Sequence, residues 1–167
     1  MLTDLVQIRR LGEKKRGENE RFRRFLKSHS FPDRRFRRMA EDIEAQIDCQ
    51  VCANCCRVAT VKLSERDIEK LARFLRLPTG QFVREYTVTS EEEGLILKRS
   101  GQGCVFLDGT ECTVYEARPQ TCEGFPHLVR GAGSIASRMW QFIDRACYCP
   151  IVYNAIEAYK QVTGFSR

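Results

Sequence analysis

From position 18 onward, apolar residues recur with helical spacing over most of the chain, and alternate with a period of two only in a short central stretch. Between Glu18 and His29, Phe22, Phe25 and Leu26 stand at i, i+3 and i+4, which places three side chains on one helix face. Pro32 and Asp33 interrupt the pattern, and Phe36, Met39, Ala40, Ile43 and Ile47 then form a second helical stripe. Ser64 opens a third helix as an N-cap, with Glu65 and Asp67 in its first turn. Ile68, Leu71, Ala72 and Leu75 are its inner stripe, and Pro78 stops it. Thr79-Gly80 reads as a turn into a shorter segment, 81–86. Glu91 to Gly94 reads as a loop, and Leu95 to Lys98 as a strand. Cys104 to Leu107 and Cys112 to Tyr115 flank Asp108-Gly109, a hairpin signal. Residues 116–125 read as short and irregular, with Pro119 suited to an early helical turn. After a loop marked by Gly131 and Gly133, residues 135–146 and 151–162 read as two closing helices.

Composition narrows the class. The 167 residues are 43% hydrophobic and 30% charged, ordinary for a globular protein with a real core. No apolar run approaches the roughly 20 residues that span a bilayer. Met1 to Asp4 shows no basic patch followed by an apolar core, so no secretory signal is expected and a cytoplasmic location is. The exceptional feature is nine cysteines. In a reducing compartment, clustered cysteines bind metal or do redox chemistry, and an odd number fits full disulfide pairing poorly.

Charge is uneven. Residues 1–38 hold 13 Lys/Arg against 5 Asp/Glu, whereas residues 39–167 hold 15 against 17. The whole basic excess of the chain, net +6, therefore lies in an N-terminal arm. Arg34, Arg35, Arg37 and Arg38 sit near a helix N-terminus, where the macrodipole disfavours positive charge. Such a placement suits an acidic partner, whether nucleic acid, an anionic membrane or an acidic protein face. The simpler alternative is a solvated helix face that keeps the protein soluble.

The cysteines fall into three groups: Cys49-x2-Cys52-x2-Cys55-Cys56, then Cys104-x7-Cys112-x9-Cys122, then Cys147-x-Cys149-Pro150. Two-residue spacers let a chain wrap one ion or cluster while backbone amides face the sulfurs. Adjacent cysteines usually point apart, which suggests two sites sharing one loop. By analogy with two-cluster ferredoxins, whose fourth cysteine serves the other cluster, one site would take Cys49, Cys52, Cys55 and Cys149. The second would take Cys56, Cys104, Cys112 and Cys122, leaving Cys147 over. All-thiolate sites accept iron–sulfur clusters or Zn2+, in one or two sites, and a metal that serves only as structure is the simpler alternative.

The run Cys49-x2-Cys52-x2-Cys55-Cys56, with Cys104 to Asp108 and Cys112-Thr-Val-Tyr-Glu-Ala-Arg-Pro-Gln-Thr-Cys122-Glu-Gly-Phe-Pro126, resembles the YkgJ-like cysteine-cluster family of zinc- or iron-chelating CxxCxxCC proteins. The resemblance covers about 100 residues from Cys49 to Cys149 and implies metal binding by the matching cysteines. The family is often labelled as oxidoreductase-like, and a relative is the flagellin lysine methylase. Two positions depart from it: Ala53 stands where the family often has Gly, and Ile151 follows Pro150 where the family often has a second Gly. A Gly at position 53 would allow a left-handed turn at no steric cost. Arg118 is a candidate cofactor-contacting residue, since a guanidinium beside thiolates offsets their charge. A salt bridge to Glu116 or Glu123 is its structural alternative.

Neither His29 nor His127 completes a catalytic set, and His127 fits packing better than ligation. No phosphate-binding glycine loop, thioredoxin-like context or radical-SAM spacing is present. The expectation is thus an α+β protein. A basic helical arm, 1–48, precedes a cysteine-cluster domain, 49–167, built of short hairpin strands and surrounding helices. It would bind metal, as an iron–sulfur protein in electron transfer or as an accessory to an oxidoreductase or methylation system, with a protein partner. The alternative is a zinc-stabilised interaction module whose arm binds nucleic acid or an acidic protein. Sequence leaves the oligomeric state open.

Overall fold

The N-terminal end of the helix Glu65–Leu75 shows how local chemistry builds this molecule. In a computed structural model describing residues 1–166, Ser64 accepts from the Asp67 backbone N–H while the Asp67 carboxylate accepts from the Ser64 N–H, a complete capping box. In chain order the helices are α1 (Leu5–Lys14), α2 (Arg16–Ser28), α3 (Asp33–Glu44), α4 (Cys49–Cys52), α5 (Asn54–Val58), α6 (Glu65–Leu75), α7 (Thr79–Tyr86), α8 (Gln120–Glu123), α9 (Ile135–Arg145) and α10 (Pro150–Val162). The strands are β1 (Thr87–Ser90), β2 (Gly94–Leu97), β3 (Arg99–Ser100), β4 (Gly103–Cys104), β5 (Leu107–Asp108) and β6 (Glu111–Cys112). They form three separate antiparallel ribbons, β1–β2, β3–β4 and β5–β6. This is an α+β protein, rich in helix. Among the described residues, no helix is long and apolar enough to cross a membrane.

The chain divides into two compact units, residues 1–48 with 126–167, and residues 49–125. The first is helical. Its α2 packs on α9, α3 on α10, and α1 on both α2 and α10. The stripe residues Phe22, Leu26, Phe36 and Ala40 are buried, as are Met139, Phe142, Ile151 and Ile156. Each large apolar side chain so buried stabilises by about 1.5–3 kcal/mol. Gly12 permits the close approach of α1 to the end of α9, because a Cβ there would lie 2.6 Å from the Ala146 carbonyl oxygen. Buried Lys160 pairs with Glu18 at 2.6 Å and Glu157 at 2.7 Å, and Lys15 also reaches Glu157. Asn154 holds the chain start through both its amide groups, on Leu2.

The second unit has its own core of Val61, Leu63, Ile68, Leu71, Ala72, Phe82, Leu97, Phe106, Val114 and Ala117. Phe82, Tyr86 and Phe106 stack, with neighbouring ring centres 5.4 and 5.1 Å apart. Residues 61–63 lie along β2, with Leu63 donating to Leu95 and Leu97 to Val61. Several local expectations shift. Helix α7 starts at Thr79, with Pro78 ahead of it as N-cap, where a turn is predicted. Thr87–Ser90 forms a strand that the sequence pattern does not announce. The predicted hairpin shortens to Leu107↔Cys112 and Asp108↔Glu111, while Cys104 pairs back with Arg99.

Candidate metal centre

Five elements of the second unit carry seven of the nine cysteines. Cys49 and Cys52 bound α4, Cys55 and Cys56 lie in α5, Cys104 ends β4, Cys112 ends β6, and Cys122 lies in α8. All nine cysteines of the chain are thiols rather than disulfides. Between α4 and α5 stands Ala53, buried and left-handed at φ 45°. This is the turn for which a glycine would be the unstrained residue. It separates the two short helices between the second and third cysteines.

The adjacent pair does not diverge. The sulfurs of Cys55 and Cys56 lie 4.0 Å apart, because successive side chains in a helix turn by about 100°, not the 180° of a strand. The Cys56 thiol is lowered to about 6, foremost by its hydrogen bond with Cys55, then against burial by the charges of Arg57 and Arg118.

Cys104, Cys112 and Cys122 pack against the unit's hydrophobic core. They and Cys56 feel one another's charge. Burial first, then Cys104, Cys56 and Cys112, push the Cys122 thiol up to about 12. Burial likewise raises Cys104 and Cys112, with Cys56 adding to both. The N–H of Phe106 opposes this at Cys104, and that of Val114 at Cys112, so each hairpin sulfur has an amide two residues on that favours its thiolate. A group of half-buried thiols whose ionisation is opposed by burial and mutual repulsion, yet aided by backbone amides, suits a cation. Among the described residues, no three His, Cys, Asp or Glu side chains stand close enough to share one ion in this arrangement. The four sulfurs are neighbours electrostatically rather than at coordination distance.

Arg118 adds positive charge to this group. Its guanidinium lies over the Tyr115 ring, 3.6 Å from the centre, its Nε donates to the Tyr115 carbonyl at 3.0 Å, and its charge favours the thiolates of Cys56, Cys112 and Cys122. Among the described residues it pairs with neither Glu116 nor Glu123. Lys70 takes Glu123 instead, at 2.7 Å, and also reaches the Arg118 carbonyl. Of the other candidates, Cys149 belongs to the helical unit, buried at the N-cap of α10. Cys147, also buried there, donates to the Ile143 carbonyl. His127 is in that unit too, with φ 64° and its carbonyl bound by Arg138 at 2.6 Å.

Three supporting residues are missed by reading cysteines alone. Arg57, which follows the cysteine pair, donates to the Cys52 carbonyl at 2.9 Å and to the Gly109 carbonyl at 3.1 Å. It ties the cysteine loop to the β5–β6 turn. Gly103, at φ 127°, brings β4 against the backbone of Cys56 and Arg57. Asp67 caps α6 and also accepts from the Gln120 N–H at 2.9 Å, fixing the first turn of the helix that carries Cys122. Immediate sequence adjacency to a cysteine is the signal that could have singled out Arg57 and Gly103. Nothing in the sequence singles out Asp67 beyond its place in the cap.

The model of a CxxCxxCC family, described as a "putative zinc- or iron-chelating domain", matches residues 48–150. The chain belongs to the CxxCxxCC family. The family description makes zinc or iron the cofactor of this CxxCxxCC protein, as its cysteine pattern implied. An uncharacterised protein of Methanocaldococcus jannaschii is similar to it, 31% identical over 84 residues, which is 49% of this chain. The match spans 45% of that relative's length. No solved structure matches.

Proposed function

We propose that this CxxCxxCC protein holds an iron–sulfur centre and serves in electron transfer, as a redox subunit or an accessory to an oxidoreductase or methylation system. The observation that carries the reading is the packing of Cys104, Cys112 and Cys122, from β4, β6 and α8, against one core, with Cys56 of α5 near enough for its charge to act on all three and Arg118 favouring the thiolates of Cys56, Cys112 and Cys122. These four would hold one centre, and Cys49, Cys52 and Cys55 are the candidates for another. When bound, a cluster supplies a one-electron carrier whose potential follows its charge, sulfur hydrogen bonds and solvent exposure. This chain's own contributions are the amides of Phe106 and Val114 toward two sulfurs and the guanidinium of Arg118. Both lower the energy of added negative charge.

A protein partner is part of this proposal. Val51, Val58, Val105 and Tyr115 are exposed, and Val51 lies between Cys49 and Cys52, Val58 two residues after Cys56, and Val105 directly after Cys104. Apolar side chains around half-buried thiols suit a small, transient docking surface.

The test is a Cys→Ser series on the full chain purified without oxygen, reading iron, sulfide and zinc per chain. Cys56→Ser, Cys104→Ser, Cys112→Ser and Cys122→Ser are expected to lose the same centre together. Cys147→Ser is expected to retain the full complement. Metal loss that ignores these groups overturns the proposed division. Redox titration of the loaded parent then shows whether the centre cycles reversibly, and a centre silent to reductant removes the electron-transfer reading.

A further inference from the structure

Helix α3 turns an unneutralised row of arginines outward. Among the described residues, none of Arg34, Arg35, Arg37 and Arg38 forms an ion pair, and all four are exposed. Arg34, Arg35 and Arg38 line an open cavity of about 560 Å3 whose apolar lining comes from Pro32, Met39 and Val162. One carboxylate, Asp42, also borders it. Asp33, at the start of the helix, is engaged on the Ile135 N–H at 3.1 Å.

Beside this cavity stands a group of rings. Phe31, next to Pro32, lies 5.6 Å from Phe25 and 5.9 Å from His29, nearly parallel to the latter, and Phe25 and His29 are 4.2 Å apart. His29 is exposed, and Phe25 and Phe31 are half-buried. Phe31 and Phe36 also contact Tyr159 of α10, one turn before Val162. The rings and the arginine cavity are therefore continuous through Phe31-Pro32 and through α10.

We infer that this face of α3, with the Phe25–His29–Phe31 rings, binds single-stranded nucleic acid. Guanidinium groups suit phosphates through planar, permanently charged forks. An apolar-floored cavity and the exposed His29 ring beside it suit unstacked bases, whereas a duplex hides its base faces. An acidic protein surface would satisfy the charge but leave the rings and the cavity floor without a counterpart. The inference is independent of the metal reading, because all nine cysteines lie outside this face.

The experiment is fluorescence anisotropy of the full, metal-loaded chain with a labelled oligo-uridylate of about sixteen nucleotides, titrated across a series of KCl concentrations. A duplex of equal length and phosphatidylserine vesicles serve as competitors. The single strand is expected to bind more tightly than either, with affinity falling linearly in log–log terms with salt. The triple variant Arg34→Gln, Arg35→Gln, Arg38→Gln is expected to weaken binding at least about tenfold and to lower the salt slope by about 2, given roughly 0.7 per single-strand phosphate. Its circular dichroism and metal content should match the parent, since the three side chains are exposed. His29→Ala should weaken oligonucleotide binding about fivefold or more by lost stacking. Parent-like binding by the triple variant overturns the inference, as does tighter capture by the vesicles or the duplex.

Discussion

Gly103 and Cys56 meet backbone to backbone: a Cβ on Gly103 would lie 2.6 Å from the Cys56 carbonyl oxygen and 2.7 Å from Cα of Arg57. Both obstacles are main chain and cannot swing aside. At φ 127° the position also excludes side chains on conformational grounds. Gly103→Ala is therefore expected to destabilise the cysteine unit by about 2–3 kcal/mol or more, through clash and strain together, and to lower metal content. Gly101→Ala, two residues away with open space around its Cβ position, is the matched control and should change neither. Thermal unfolding and metal analysis of the pair check this.

Ala53 concerns the other turn of the cysteine loop. Its left-handed backbone costs about 1–2 kcal/mol for an L-residue, while its buried methyl returns about 0.8 kcal/mol. Ala53→Gly is expected to be tolerated within about 1 kcal/mol. Ala53→Val adds a β-branch in the left-handed region at a buried site and should cost about 2 kcal/mol or more. Chemical denaturation distinguishes the two; equal effects would contradict the strain argument.

Asp67 supplies a pH dependence with a definite sign. Burial works against its carboxylate, but bonds from the Ser64 hydroxyl, the Ser64 N–H and the Gln120 N–H outweigh it and hold the group below its usual value of 3.8. A depressed folded value means stability that is fully present above about 3.8 and is lost as pH falls from there through the folded value. Asp67→Asn should lower stability near neutrality by about 1–2 kcal/mol and flatten the acid limb of the stability curve below about pH 3.8. An unchanged acid limb in the variant would assign that limb to other carboxylates.

Lys160 is the buried hub of the helical unit, its side chain 6% exposed between Glu18 and Glu157. Removing one carboxylate leaves charge uncompensated in a poorly solvated place. Glu157→Gln strips a partner from both Lys15 and Lys160 and should destabilise by about 3 kcal/mol. Arg9→Gln breaks only an exposed pair with Glu13 and should be close to neutral. Urea unfolding of both variants gives the comparison.

How much of this was legible in the sequence follows from which residues carry the pattern. The helical stripes were visible because Phe22, Leu26, Phe36, Ile68 and Leu71 are core positions, and burial imposes a period that can be counted. The pairing of Cys104 was not, because it depends on the φ of Gly103 and on the backbone of Cys56, 47 residues earlier in the chain. Strand β1 was hidden because only Thr87 of its four residues is buried, which leaves no apolar alternation to read. The candidate metal residues were legible by type and spacing. The charges that surround them, Arg57 and Arg118, became specific only once α5 and the turn after β6 were placed.

The most direct measurement is iron, acid-labile sulfide and zinc per chain, with the visible spectrum, on the full protein purified without oxygen. The proposal of an iron–sulfur centre predicts iron and sulfide in comparable amounts and a coloured protein that bleaches on reduction. A colourless protein carrying zinc and no sulfide would contradict it, and would make the cysteine cluster a structural site.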